Sequence, residues 1–138
     1  MTKVRDKFTK NGFQISDKWI ESPDKGFLSI SELSHFAFDG LKRIWSQEEK
    51  PDGLLIYPED LINGALLAIM DEQIKVPEEL SLVMHHNQEN NILCPVPGYF
   101  LESSIKKMAH GLIKIVVDQF NGNEIAPAKQ SYILKEHQ

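Results

Sequence analysis

Pro51 to Val83 reads PDGLLIYPEDLINGALLAIMDEQIKVPEELSLV, and its punctuation divides it into strand, helix, proline turn and strand. Pro51-Asp52-Gly53 interrupts the chain, Leu54-Leu55-Ile56-Tyr57 is a short apolar run of buried-strand type, and Pro58-Glu59-Asp60 supplies a turn with acids suited to a helix start. Leu61, Ile62, Ala65, Leu66, Ala68 and Ile69 then recur at helical spacing as far as Gln73. Val76-Pro77 stops that helix, and Leu80 to Met84 is a second apolar strand. Two strands joined by one helix pair in parallel through a right-handed crossover, so the stretch predicts an α/β fold with a parallel sheet and flanking helices.

The rest of the chain extends this unit. Val4 to Lys10 reads as a short helix ended by Asn11-Gly12, and Lys18 to Glu21 as a brief strand. Leu33, Phe36, Ala37, Leu41, Ile44 and Trp45 form one helical stripe, with Ser29 or Ser31 as cap and Glu32 in the first turn. His85 to Gly98 reads as a loop. Ile105, Met108, Ala109, Leu112, Ile113, Val116, Val117 and Phe120 make a second strong stripe, stopped by Asn121-Gly122, and Ser131 to Lys135 closes as a strand. Every fully exposed aliphatic or Phe on that long helix would forgo about 1.5 to 3 kcal/mol of burial, so the helix needs a partner.

The chain has 138 residues, 41% of them hydrophobic and 25% charged, which is the composition of one globular domain. Its net charge of -5 is opposite to that of a DNA-reading surface; Lys3, Arg5, Lys7 and Lys10 are interrupted by Asp6 and read as a solvated helix face. Cys94 is the single cysteine, so an intramolecular disulfide is excluded and a reducing compartment such as the cytoplasm is natural. No apolar run reaches the length of a membrane span, and residues 1–10 are polar rather than signal-like.

In an open parallel sheet, ligands collect beyond the carboxyl ends of the strands. That rim holds Tyr57, Pro58, Glu59 and Asp60 after the first strand, and His85, His86, Asn87 and Gln88 after the second. Carboxylates and amides there match the donors and acceptors of vicinal hydroxyls. No Cys/His/Asp set at ligand spacing accompanies the two histidines, so no metal is predicted, and no cofactor motif is present. Glu59 and Asp60 also suit a helix N-terminus through the macrodipole alone, and Ser103-Ser104 suits the cap of the long helix as well as a ligand contact.

The segments Pro51 to Ile56, Asn63 to Ile69 and Ile74 to Val83, with Ser104 to Ala109 and the tail Asn121 to Glu124, resemble the effector-binding region of lactose-repressor-type (LacI family) transcription regulators. The resemblance implies a lobe of the periplasmic-binding-protein-like type I fold, with an incomplete second lobe. Residues 1–102 and 130–138 would form the first lobe, and 103–129 the crossover and helix of the other. It implies a small-molecule effector, sugar-like, bound near Tyr57, Glu59, Asp60, His86, Asn87 and Ser103. It implies a homodimer contact at Asn63, Leu66, Leu67, Met70, Ile92, Leu93 and Cys94, and DNA binding only through a region outside this chain. Pro58-Glu59 stands where many family members carry an Asn-Asp pair, and His86 where they carry Asp. The family's first strand of this lobe and its effector-contacting Arg would precede Met1, so the chain reads as a truncated sensor or one that completes itself by exchange with a second copy. Two other classes compete: a sugar receptor of a transport system on the same fold, and a small enzyme using Glu59, Asp60 and His86 as acid and base.

Overall fold

The computed structural model describes residues 2–23, 29–125 and 131–138. The expected return to the first lobe at residues 129–130 and the side chain of Lys3 lie outside the described residues. Four helices are named here α1 (Thr2–Lys10), α2 (Ile30–Trp45), α3 (Ile62–Asp71) and α4 (Ile105–Phe120). Four strands, β1 (Gly53–Ile56), β2 (Ser81–Asn87), β3 (Gly98–Ser103) and β4 (Ile133–His137), form one sheet in the order β1-β2-β3-β4. β1, β2 and β3 run parallel and β4 antiparallel to β3. The predicted α/β class with a mostly parallel sheet is what the chain adopts.

Local chemistry sets the element ends. Ser29 caps α2 in a full capping box: its hydroxyl accepts from the Glu32 N–H, and the Glu32 carboxylate accepts from the Ser29 N–H. Ser104 caps α4 by accepting from the Lys107 N–H, and Gly122, at φ 71°, ends it in the left-handed region. Gly64 is required by packing: a Cβ there would sit 1.9 Å from the Ser34 backbone oxygen, so α2 and α3 meet backbone to backbone.

One sheet face carries the core. Leu82 and Met84 of β2, Ile56 of β1 and Phe100 of β3 point to the same side, where α3 contributes Ile62, Ala65, Leu66 and Ile69, and α2 contributes Leu41 and Trp45. Ile62, Ile69, Leu80, Leu82 and Met84 are almost completely buried. Each such side chain contributes about 1.5 to 3 kcal/mol of hydrophobic stabilisation. The opposite sheet face is open over Leu55, Tyr99 and Leu134, all exposed.

Three expectations need correction. Lys18 to Glu21 is not a strand; Asp17–Trp19 forms a 3-10 turn capped by Ser16, and the Trp19 indole N–H donates to the Glu49 carbonyl at 3.1 Å, which ties the segment to the end of α2 instead of to the sheet. The loop placed at His85 to Gly98 is shorter, because β2 continues through Asn87 and β3 begins at Gly98. Ser103 is the buried last residue of β3, and the cap of α4 is Ser104 alone. The long helix α4 has the predicted bounds but no buried residue, and it packs extensively on no other helix or strand among the described residues.

Candidate functional site

The carboxyl ends of β1, β2 and β3 lie side by side, and a chain of polar side chains crosses them. The Glu59 carboxylate, in the 3-10 turn after β1, accepts from the Asn87 backbone N–H at 2.8 Å, from Asn87 Nδ2 at 2.6 Å and from Asn90 Nδ2. Asn87 Oδ1 accepts from the Ser103 hydroxyl at 2.8 Å. With its proton given to Asn87, Ser103 Oγ accepts from His85 Nε2 at 3.1 Å. That assigns His85 the Nε2-protonated tautomer and leaves Nδ1 a bare acceptor, buried and without a partner among the described residues. Tyr57 lies against the His85 ring at 4.6 Å between centroids, and Tyr132 stands edge-on to it at 6.1 Å.

Strand alternation explains which residues meet. His85 and Asn87 share a face of β2, and Ser103, paired in register with Asn87, joins them. His86 points the other way: its ring packs on Phe100 at 5.0 Å, its Nε2 lies 3.0 Å from the Asn90 carbonyl, and its Nδ1 is 3.8 Å from Glu102 Oε1. Of the six effector residues expected from the sequence, Glu59, Asn87 and Ser103 are therefore joined in one hydrogen-bonded chain. Tyr57 adjoins that chain through His85. Asp60 is exposed at its edge, and His86 lies on the far sheet face. His85 was expected on the rim though not among the effector residues, and Tyr132 and Asn90 were not expected here. Extending β2 to Asn87 would have put His85, instead of His86, on the face of Asn87.

The electrostatics follow from the contacts. Burial pushes the Glu59 carboxyl up, but the Asn87 and Asn90 donors with nearby His85 outweigh it and hold the group below its ordinary value. Burial lowers His85 despite the opposing pull of Glu59, so its ring is neutral near pH 7. Glu89 is held below the carboxylate norm by the Ser104 hydroxyl and by the backbone N–H groups of Ile105 and Lys106.

An open cavity of about 270 Å³ adjoins the Glu59 end, lined by Glu59, Asp60, Asn63, Asn90 and Asn91 with Ile30 and Ile92 as apolar walls. Three amides, two carboxylates and two aliphatic side chains provide donors, acceptors and an apolar surface, the mixture that recognises a small hydroxylated molecule. No group of three or more metal-ligating side chains occurs among the described residues.

The surface expected to pair two copies divides by burial. Asn63, Leu67, Met70 and Leu93 are exposed, with Leu93 the most open at 89%. Leu66 and Cys94 are buried in the chain's own core, and Ile92 packs against that core. Burial raises the Cys94 thiol above its ordinary value, so it is an inert packed group.

The model of the periplasmic binding protein-like domain family matches residues 2–136. Among solved structures, a LacI family transcription regulator from Clostridium acetobutylicum superposes with a TM-score of 0.70 at 20% identity, over 94% of this chain and 48% of that one. A sugar-binding transcriptional regulator (LacI family) from Escherichia coli, complexed with phosphate, gives 0.68 at 17% identity over 96% and 46% of the two chains. The Escherichia coli transcriptional repressor ascG gives 0.64 at 18% identity over 97% and 46%. The chain thus spans about half the length of these structures. A comparison with curated proteins found no match. The family model covers nearly the whole chain, and the solved structures share its sheet and helix arrangement; the chain belongs to the periplasmic binding protein-like domain family, with the fold seen in LacI family transcription regulators.

Proposed function

We propose that this chain is the effector-sensing and dimerising portion of a LacI-type transcription regulator. A small hydroxylated molecule, sugar-like, binds at the strand rim, and its preference for one lobe arrangement over another alters DNA binding by a region outside this chain. The observation that carries the reading is the placement of α4. β3 ends at Ser103, and β4 begins opposite Glu102, so the excursion through α4 leaves and returns at the rim where the polar chain lies. A 16-residue helix spans about 24 Å. Its apolar stripe, unburied among the described residues, suits a second lobe that would close over the rim, with residues 103–129 assigned to that lobe.

Tyr57, Glu59, Asp60 and Asn87 are the proposed effector wall, with buried Ser103 acting behind it through its bond to Asn87 and His86 acting through the Asn90 carbonyl. Asn63, Leu67, Met70 and Leu93 are the proposed contact between two copies. No bond is made or broken in this mechanism. Ser103 is a poor nucleophile, being 2% exposed and donating its proton to an amide oxygen instead of to a base. A regulator with these properties works in the cytoplasm.

Thermal denaturation with a panel of neutral sugars, amino sugars, sugar phosphates and nucleosides tests the reading, since a ligand at 100 times its Kd adds about 2.7 kcal/mol. At least one neutral sugar is expected to raise the Tm of the wild type and not that of Asn87→Ala. A panel without effect, or an equal rise in both proteins, would overturn it.

A further inference from the structure

The turn after β2 holds two distant partners at once. Asn90 donates to Glu59, and Asn90 and Asn91 line the same cavity as Glu59. One residue earlier, the Glu89 carboxylate accepts from the Ser104 hydroxyl at 2.5 Å, from the Ile105 N–H at 3.0 Å and from the Lys106 N–H at 3.4 Å. The first N–H groups of a helix have no intrahelical acceptor. Those of Ile105 and Lys106 are supplied by Glu89, and because α4 has no buried residue and packs extensively on no other element among the described residues, this contact and the Ser104 cap hold its start.

We propose that the turn from Gln88 to Asn91 couples the cavity at Glu59 to the placement of α4, with Glu89 as the positioning residue. The inference rests on the effector reading above, because it names the regulation of that same site. A ligand hydroxyl that takes Glu59 or Asn90 as its partner competes with the bond between them. The turn is only a few residues long and is tethered at Asn87 and by the His86 contact to the Asn90 carbonyl, so release of Asn90 shifts Glu89 against Ile105. The α4 helix then changes its attachment exactly where it leaves the rim, without any ligand touching it. Glu59, Asn90, Glu89 and Ile105 form a contiguous route between two elements that do not pack on each other.

Rapid amide exchange of the full chain, followed by NMR at Ile105 and Lys106, tests the coupling without a ligand. Glu89→Gln is expected to accelerate exchange there about tenfold, and Asn90→Ala, which removes a contact remote from α4, by about threefold or more. In the double variant the two effects are expected to combine non-additively. Unchanged exchange in Asn90→Ala beside acceleration in Glu89→Gln would make Glu89 a local helix cap and overturn the coupling. Unchanged exchange in both would overturn it as well. Neither outcome touches the effector reading, which stands or falls on the thermal panel.

Discussion

Helices α3 and α4 make opposite use of similar sequences. α3, ten residues, buries Ile62, Gly64, Ala65, Leu66, Ala68 and Ile69 against the sheet and α2. α4, sixteen residues with an equally clear apolar stripe, buries none. The sheet repeats the contrast, with one face packed by α2 and α3 and the other leaving Leu55, Tyr99 and Leu134 in solvent. An amphipathic pattern therefore states that a helix has a partner without stating where that partner lies. The packed half holds the fold together, and the unpacked half marks what the fold is prepared to meet.

The sharpest way to break this contrast is at the α2–α3 contact. Gly64→Ala places a Cβ within 1.9 Å of a backbone oxygen that cannot rotate away, and a loss of roughly 4 kcal/mol or more is expected in urea denaturation. Unchanged stability would mean the two helices are not in backbone contact. Next comes a matched pair. Ile69→Ala, at 2% exposure, is expected to cost about 3 kcal/mol, and Ile113→Ala on α4, at 60%, less than about 0.5 kcal/mol. Equal costs would show that α4 is packed in solution. At the rim, Asn87→Ala removes the side-chain donor to Glu59 and the acceptor of Ser103 while leaving the backbone N–H bond to Glu59 in place, and a loss of about 1 to 3 kcal/mol is expected.

The rim also gives the chain a pH response near neutrality. His85 binds its proton more weakly when folded than its ordinary value of 6.5, so the unfolded chain takes up more protons in that window. Its contribution to stability is complete above about pH 6.5 and falls as the pH drops from there toward the folded value. Glu59, also lowered, withdraws its own contribution in more acidic solution, as the pH falls through its folded value. Tm measured from pH 7.5 to 5 should decline, and His85→Asn should flatten the upper part of that decline. A Tm independent of pH in the wild type would contradict the buried neutral ring. The smallest effect concerns the end of α3, where Gln73 holds a left-handed φ of 54°. Gln73→Gly is expected to gain up to about 1 kcal/mol in the same denaturation experiment.

The crossover from β1 through α3 to β2 was legible because its apolar periods change at proline and glycine punctuation, and α2 because Ser29 and Glu32 spell a capping box. Trp19-Ile20 misled because two apolar residues read as strand, whereas the Trp19 indole finds a carbonyl in the α2 loop. β3 was hidden by Pro95, Pro97 and Gly98 immediately before it, although Tyr99 to Ser103 pairs fully with β2. At the rim, the residue types were readable and their faces were not. Ending β2 at Met84 placed His85 and His86 together on the rim with His86 chosen as the effector residue; extending the strand to Asn87 sends them to opposite sides and gives His85 the face of Asn87. Tyr132 reaches His85 only through the antiparallel return of β4, a contact that no local pattern encodes.

The account turns on the rim being a ligand surface. Chemical-shift mapping of the labelled chain during titration with the sugar that most raises its Tm tests this most directly. Perturbations concentrated at Glu59, Asp60, Asn87, Asn90 and Asn91 are the predicted result. Perturbations confined to the opposite strand ends, at Gly53, Ser81 and Gly98, or absent at saturating sugar, would contradict it.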